Sequence, residues 1–286
     1  MAFAEGADGT RLYHDAAGDG PAVVLCDGIA CEGFIWRYLR PALLRGHRVL
    51  HWNYRGHGRS GPPLDPARTG IADHADDLLR VLGSAGVPKA VLIAHSMGTQ
   101  VALETWRQRP EAVAGLVLVC GSYGNITRTF HGSDLLSVAL PKVIALQAEH
   151  PGIVQALWSR GPVGLSMWIA KTFGEVDAMR LRMEDLAPYF EHVVRMDPGT
   201  FFRMLSAAGA HTAEDILHAV SAPALVIAGE RDTFTPMRYA EQMARQIPDA
   251  TLLRLAGGSH TAPLEQPSLV EDAVLSFLAR VHGDAG

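Results

Sequence analysis

Short runs of apolar residues recur along the chain and alternate with segments whose apolar residues have helical spacing. The runs are continuous, which is typical of parallel strands that are covered on both faces. They predict six strands, at residues 22–26, 47–52, 90–94, 116–120, 224–228 and 251–255. The residues at helical spacing include Ile71, Ala75, Leu78, Leu79 and Leu82, and later Val270, Val274, Phe277, Leu278 and Val281.

This alternation of strand and helix predicts an α/β fold, a mostly parallel, doubly wound sheet with right-handed crossovers. The segment around Arg11 follows the turn-forming pair Asp8 and Gly9 and differs from the later runs. We expect it to form antiparallel strands at one edge of the sheet.

One long segment, residues 122–212, contains no strand-like run. It is rich in aromatic residues and methionine, and five prolines divide it into short helical pieces. Because so much apolar surface is not expected in a solvated loop, we predict an inserted helical cap (lid) across the ligand end of the sheet. The core is then residues 1–121 and 213–286. Most of the aromatic residues are expected to form the insertion's own small core, and a few to face the cleft.

Composition and charge narrow the function classes. The 25 basic and 30 acidic residues give a net charge of −5, so nothing suggests a nucleic-acid partner. Three cysteines do not make a disulfide framework, and we expect them to be reduced and buried. We find no apolar run long enough to span a membrane and no secretory signal, so we expect a soluble, cytoplasmic protein.

The 13 histidines raise the possibility of a metal site. Their spacing does not support one, because no pair shows the H-E-x-x-H pattern and the cysteines have no nearby pair of histidines. We therefore predict no metal site and treat most of the histidines as ordinary polar residues.

The strongest chemical signal follows the third predicted strand, where the chain reads Ala94-His95-Ser96-Met97-Gly98 and continues into a helix. A sharp strand-to-helix turn of this kind, a nucleophile elbow, presents a serine hydroxyl at a helix N-terminus. The alternative is that Ser96 only caps the helix. A serine nucleophile also needs a base and an orienting acid. Loops after the fifth and sixth strands supply Asp232 and His260, with Glu230 as a competing acid.

Four blocks together resemble the α/β-hydrolase superfamily, in the serine hydrolase branch with a helical cap. They are residues 25–29, 53–60 and 95–98, and the two loops that hold Asp232 and His260. The resemblance implies that Ser96 is the nucleophile, His260 the general base and Asp232, rather than Glu230, the orienting acid. It also implies an oxyanion hole made by the backbone N–H groups of Ile29 and Met97, and a reaction that needs no cofactor.

Two departures refine this resemblance. Many relatives have histidine where this chain has Asp27, and we expect Asp27 to hydrogen-bond backbone groups and brace its loop. Relatives that open epoxides or remove halides use an aspartate at the elbow, so Ser96 favours acyl transfer instead. We further expect His95 to pack against the elbow and His57 to have a structural role. His131, His192 and His211 are candidate substrate contacts from the cap.

The resulting hypothesis is a serine carboxylesterase for a small or medium apolar ester, with Trp158, Trp168 and Phe234 as candidate substrate-binding residues. The same three catalytic residues could instead act on a lactone, a thioester, a C–C bond beside a ketone or a peptide with N-terminal proline. The protein could also be an esterase that forms a peracid. A ligand receptor on the same fold is the alternative outside enzymes. The partner is a small molecule in every case, and the oligomeric state stays open.

Overall fold

The computed structural model describes residues 2–128, 135–160 and 181–283, which include an eight-stranded sheet. The strands are β1 (Ala2–Glu5), β2 (Arg11–Ala17), β3 (Ala22–Cys26), β4 (Arg48–Trp52), β5 (Ala90–His95), β6 (Val113–Val119), β7 (Ala224–Gly229) and β8 (Ala250–Leu255). All six predicted strands are present within a few residues of the expected positions. β6 begins earlier than expected because Val113 already pairs with Ala90 of the neighbouring strand.

The strand order is β1-β2-β4-β3-β5-β6-β7-β8. β1 pairs with β2, and β2 with β4, in antiparallel fashion, as the opening segment predicts. The strands from β4 through β3 to β8 all run parallel. The fold class expected from the sequence, a mostly parallel α/β sheet, is therefore confirmed.

Ten α-helices lie in the described part of the chain. They are α1 (Leu39–Leu43), α2 (Ile71–Ser84), α3 (Met97–Gln108), α4 (Leu135–Glu149), α5 (Pro151–Ser159), α6 (Met183–Val193), α7 (Pro198–Ala210), α8 (Met237–Gln246), α9 (Ala262–Glu265) and α10 (Pro267–His282). The predicted helices after Ile71 and Val270 correspond to α2 and α10.

Alternate residues of the central strands belong to two separate apolar cores. Val24 and Leu92 point to one face, where they pack with α2, α3 and α8, whereas Val23 and Val91 pack on the other face with α1 and α10. Both faces of the sheet are covered in this way, which explains why the strands read as continuous apolar runs. Every residue of β5 is buried, so the end of this strand is a rigid support for the loop that follows it.

Helices α4 to α7 lie between β6 and β7, within the segment predicted to be a cap. Asp185, near the start of α6, is almost fully buried and accepts hydrogen bonds from Arg37 at 2.5 Å and from the Tyr38 hydroxyl at 2.9 Å. This contact fixes α6 to the core beside the short 3₁₀ helix Phe34–Trp36. Across the described ranges, no helix combines the length and the apolar character needed to cross a bilayer.

Candidate active site

The loops after strands β5, β7 and β8 bring together three residues that are far apart in the sequence. Ser96 lies between β5 and α3, Asp232 follows β7, and His260 follows β8. These strands are parallel, so their carboxyl ends meet at one edge of the sheet, where open α/β sheets bind ligands.

The three side chains form a hydrogen-bonded chain. His260 Nε2 lies 3.0 Å from Ser96 Oγ, and His260 Nδ1 lies 2.9 Å from Asp232 Oδ2. Because an ionised carboxylate only accepts hydrogen bonds, Nδ1 carries the proton and Nε2 is free to accept the proton of the serine hydroxyl. This arrangement orients a base toward a nucleophile.

The backbone at Ser96 has φ 54° and ψ −121°, a conformation that residues with a side chain rarely adopt. The serine makes no side-chain cap to α3, so its hydroxyl is directed to His260 rather than to the helix. Gly98 allows this sharp turn, because a Cβ at that position would lie 2.5 Å from the carbonyl oxygen of Cys26.

Asp232 is buried and its two oxygens are saturated with donors. Oδ1 accepts the N–H groups of Phe234 and Thr235, both at 2.9 Å, and Oδ2 accepts the Thr235 hydroxyl at 2.8 Å in addition to His260. These bonds fix the carboxylate as an oriented acceptor. Glu230 is exposed and lies against the N–H of Gly257 instead, at 3.3 Å.

His95 supports the loop of His260. Its Nε2 donates to the carbonyl oxygen of His260 at 3.0 Å, and its ring stands edge-on to Trp36. Burial, together with the nearby His260, lowers the pKa of His95 to about 4, so this imidazole is neutral near pH 7. The packing role expected for His95 agrees with this placement.

A tight turn at residues 28–31 lies beside Ser96, closed by a hydrogen bond from Cys31 N–H to the carbonyl oxygen of Gly28 at 3.2 Å. The backbone N–H of Ile29 is in this turn, and that of Met97 is at the N-terminus of α3. Within the described ranges of the chain, neither N–H donates to a protein acceptor. Both are thus available to an acceptor supplied by a ligand.

Asp27 is turned away from this turn. Its buried carboxylate accepts the N–H of Gly33 at 2.9 Å and the indole N–H of Trp36 at 2.7 Å, and lies 2.8 Å from His51 Nε2. Burial opposes protonation of His51, but the charge and hydrogen bond of Asp27 outweigh it and raise the pKa of His51. Asp27 therefore braces the loop, as expected, and its charge is engaged by donors on that side.

A cavity of about 270 Å³ opens over Ser96 and His260. Its walls are mainly apolar and come from the 28–31 turn, the 34–36 segment, the loops after β5, β7 and β8, and helix α6. The lining residues are Gly28, Ile29, Cys31, Phe34, His95, Ser96, Leu186, Tyr189, Phe190, Val193, Phe234, His260 and Thr261. An apolar cleft with a few convergent polar groups is the usual form of a small-molecule site.

Comparison with known proteins identifies the family. The model of the Alpha/beta hydrolase family matches residues 23–273, most of the chain. The chain belongs to this family. The resemblance of the four sequence blocks to the α/β-hydrolase superfamily is thereby confirmed, and the protein is an α/β hydrolase.

Several relatives and similar structures are named as hydrolases of different kinds. The "Putative carbamate hydrolase RutD" of Variovorax paradoxus is 29% identical over 279 residues, which cover 94% of this chain and 97% of that protein. The solved structure "Est816 as an N-Acyl homoserine lactone degrading enzyme" has a TM-score of 0.76 and 26% identity, covering 96% of this chain and 100% of that one. A thermophilic esterase from Thermogutta terrifontis shares the fold, with a TM-score of 0.80, 24% identity and 98% coverage of both chains.

The candidate substrate contacts of this hydrolase fall in different places. Phe234 lines the cavity, with its ring centroid 4.8 Å from that of His260. Trp158 does not line the cavity, because its ring packs against Phe201 and Phe202 and its Nε1 donates to the carbonyl oxygen of Val193 at 2.7 Å. Trp168 lies outside the described residues.

Of the three candidate histidines between residues 122 and 212, two lie away from the cavity. His192 binds the backbone of Ala30 and Gly58 rather than lining the cavity. His211 Nε2 lies 3.2 Å from the carboxylate of Glu104, a residue of α3, and His211 does not line the cavity. His131 lies outside the described residues.

The sequence reasoning missed the residues of α6 that form a wall of the cavity. They are Leu186, Tyr189, Phe190 and Val193. The last three residues follow Leu186 by three, four and seven positions, so all four lie on one face of the helix. This amphipathic pattern was visible in the sequence. In the described part of the chain, no cluster of three histidine, cysteine or acidic side chains is arranged to hold a metal ion.

Proposed function

We propose that this α/β hydrolase is a cofactor-free serine esterase that forms an acyl-enzyme on Ser96. The observation that carries the proposal is the hydrogen-bonded chain of Asp232, His260 and Ser96 at the base of a mainly apolar cavity. We also propose that residues 122–212 act as the cap of a core made by residues 1–121 and 213–286.

In the acylation step, Ser96 Oγ attacks the ester carbonyl while its proton passes to His260 Nε2. The carbonyl oxygen becomes an oxyanion that accepts hydrogen bonds from the N–H groups of Ile29 and Met97. Such preorganised donors stabilise the transition state by about 3 kcal/mol each. The protonated His260, stabilised by Asp232, then gives its proton to the departing alcohol.

In the deacylation step, water takes the place of the alcohol. His260 Nε2 removes a proton from the water as it attacks the acyl carbonyl, and the same imidazole returns a proton to Ser96 Oγ. The products are a carboxylic acid and an alcohol. The two proton transfers between Ser96 Oγ and His260 Nε2 use atoms that already lie 3.0 Å apart.

The cavity supports a small apolar substrate. Its volume of about 270 Å³ lies near the lower end of ligand pockets, which span about 300–1,000 Å³. Phe34, Phe190 and Phe234 supply aromatic surface to its lining. We expect short acyl chains to fit and long ones to be excluded.

The first test is covalent labelling of the activated serine. The wild type, incubated with a fluorophosphonate and weighed intact, should gain one adduct that Ser96→Ala abolishes. Ser276→Ala is the matched control, since this serine is exposed on α10 and its hydroxyl donates to the carbonyl oxygen of Asp272 in the same helix. A wild type without adduct would refute the activated serine.

The second test is a series of p-nitrophenyl esters from acetate to decanoate. We expect kcat/KM to be highest for the short esters and to fall once the acyl chain exceeds the cavity. Labelling without cleavage of any ester would refute the ester substrate, while the activated serine would stand.

A lactone or a carbamate is the second candidate substrate. It is favoured by the relatives, since one is named as a carbamate hydrolase and a similar structure is described as degrading N-acyl homoserine lactones. Both compounds react by acyl transfer to the same serine. Higher kcat/KM for an N-acyl homoserine lactone or an alkyl carbamate than for p-nitrophenyl acetate would favour this candidate over the simple ester.

A further inference from the structure

Two histidines outside the hydrogen-bonded chain of Ser96 bind the two polar groups of one residue, Ala30. The N–H of Ala30 donates to His57 Nε2 at 2.9 Å, and the carbonyl oxygen of Ala30 accepts from His192 Nδ1 at 2.9 Å. Ala30 has φ 58°, in the left-handed region that favours glycine. The two imidazoles therefore hold a backbone conformation that alanine rarely adopts by itself.

These hydrogen bonds fix the tautomer of each ring. An amide N–H can only donate, so Nε2 of His57 is unprotonated and its Nδ1 donates to the carbonyl oxygen of Arg55 at 3.1 Å. In the same way Gly58 N–H donates to His192 Nε2 at 3.0 Å, which leaves the proton on Nδ1 for Ala30. Both imidazoles are neutral donors and acceptors at once. Burial, with the nearby His192, also lowers the pKa of His57 to about 4.

Ala30 is the residue directly after Ile29 in the turn at residues 28–31. With both of its polar groups bound, and with Cys31 N–H closing the turn on Gly28, the peptide units on either side of Ala30 have little freedom. The Ile29 N–H belongs to the Gly28–Ile29 peptide unit, whose carbonyl oxygen accepts the Cys31 N–H, so its direction is coupled to the position of the Ala30–Cys31 unit. The imidazoles of His57 and His192 thus determine where this N–H lies relative to Ser96.

His192 belongs to α6, the helix that also forms one wall of the cavity. The start of α6 is fixed by Asp185 to Arg37 and Tyr38, and its end is fixed by His192 to Ala30 and Gly58. The wall and the turn are thereby connected through a single side chain that is 7% exposed.

We propose that His57 and His192 are positioning residues for the oxyanion-binding N–H of Ile29, and that His192 makes helix α6 part of that site. The proposal rests on the proposed function, because it needs the Ile29 N–H to bind an oxyanion. Neither imidazole touches the substrate; each acts through Ala30.

The test compares substitutions of His192 with p-nitrophenyl acetate, whose acyl group is too small to depend on the wall formed by α6. His192→Phe keeps the ring and removes both hydrogen bonds. Since loss of a whole oxyanion donor lowers kcat by about 10²–10³-fold, a displaced donor should lower kcat by about 10–100-fold with little change in KM. Unchanged kcat, or a rise in KM alone, would overturn the proposal.

Two further variants separate the contact to Ala30 from the contact to Gly58. The side-chain amide of His192→Asn can donate near the position of Nδ1, toward Ala30, whereas the longer His192→Gln can accept near the position of Nε2, from Gly58. We expect His192→Asn to retain at least about tenfold more kcat than His192→Gln, a difference that a merely structural role does not produce. Equal kcat values in this pair would overturn the proposal even if His192→Phe does not fold.

Glu191→Gln is the matched control, because Glu191 is the preceding residue of α6 and its exposed side chain pairs with Arg195, at 3.3 Å, just beyond the end of the helix. Its kcat should equal that of the wild type. A wild type that neither reacts with fluorophosphonate nor cleaves p-nitrophenyl acetate would refute the proposed function itself. An active wild type with unchanged His192 variants would refute only the positioning role.

Discussion

Replacing Asp27 by asparagine tests whether this residue braces the loop beside Ser96. The carboxylate is 1% exposed and has donors on both oxygens. Oδ2 faces Gly33 N–H and His51 Nε2, and Oδ1 faces the indole N–H of Trp36. Asparagine has the same shape but only one acceptor oxygen, so one of these donors must face an NH₂ group.

The structure sets the size of the expected effect. If the amide oxygen takes the place of Oδ2, it retains neutral hydrogen bonds to Gly33 and His51, and the Trp36 N–H loses its acceptor. Loss of a hydrogen bond to a charged group costs about 1.5–3 kcal/mol, and the two retained bonds weaken when the charge is removed. We expect the free energy of unfolding to fall by about 3 kcal/mol, or Tm by about 6 °C.

The assay is urea unfolding at pH 7 of the wild type, Asp27→Asn, Trp36→Phe and the double variant. Trp36→Phe removes the donor, and the cavity that it creates cancels in the double-mutant cycle. We expect a coupling free energy of at least about 1 kcal/mol between the two positions. Additive effects, or a loss below about 1 kcal/mol in Asp27→Asn, would refute the bracing role.

The contact between Asp27 and His51 also makes the stability of the fold depend on pH, because the pKa of His51 is raised. A raised pKa in the folded state stabilises the protein below the unfolded pKa of about 6.5, and this contribution is lost as the pH rises through the folded value. His51→Phe should therefore destabilise the protein more at about pH 6 than at about pH 9. The opposite trend would contradict the ion pair with Asp27.

The remaining predictions concern the proposed catalytic acid, the buried imidazoles and the thiols. Asp232→Asn should lower kcat by about 10⁴-fold, by analogy with the triad acid of serine proteases, whereas Glu230→Gln should be within a few-fold of the wild type; comparable losses in both would mean that the wrong acid is assigned. His57 and His95 have a pKa of about 4 when folded, against about 6.5 when unfolded. The free energy of unfolding should thus fall by about 3 kcal/mol per imidazole as the pH drops through this interval, and a stability that stays constant in urea titrations there would contradict their burial. The three thiols, Cys26, Cys31 and Cys120, are buried, and burial raises the pKa of each, that of Cys26 to about 12. Ellman's reagent should therefore label no thiol in the folded protein and three after unfolding. Rapid labelling of the native protein would contradict this burial.

The sequence by itself determined the order of strands and helices, because their signals are local. Continuous apolar runs and residues at helical spacing report on burial within a single element. The strand before Ser96 and the small Gly98 after it predicted the elbow, and the loops with Asp232 and His260 follow parallel strands. Since the ends of such strands meet at one edge, their proximity followed from the topology.

Only the tertiary structure decided which side chains surround Ser96. The sequence favoured Trp158 because it is large and aromatic, yet its ring packs against Phe201 and Phe202, and α6 supplies the wall with Leu186 and Phe190 instead. The direction of a cap side chain depends on how its helix packs against distant segments, which no local pattern specifies.

The same distinction applies to the polar residues around the site. The sequence singled out Asp27, His57 and His192 but not the atoms that they bind, and His192 is 162 positions from the carbonyl oxygen that accepts its hydrogen bond. Periodicity predicts which residues are buried, because burial averages over many weak contacts along an element. A hydrogen bond needs two particular atoms within about 3 Å and in line, and that geometry exists only after the chain has folded.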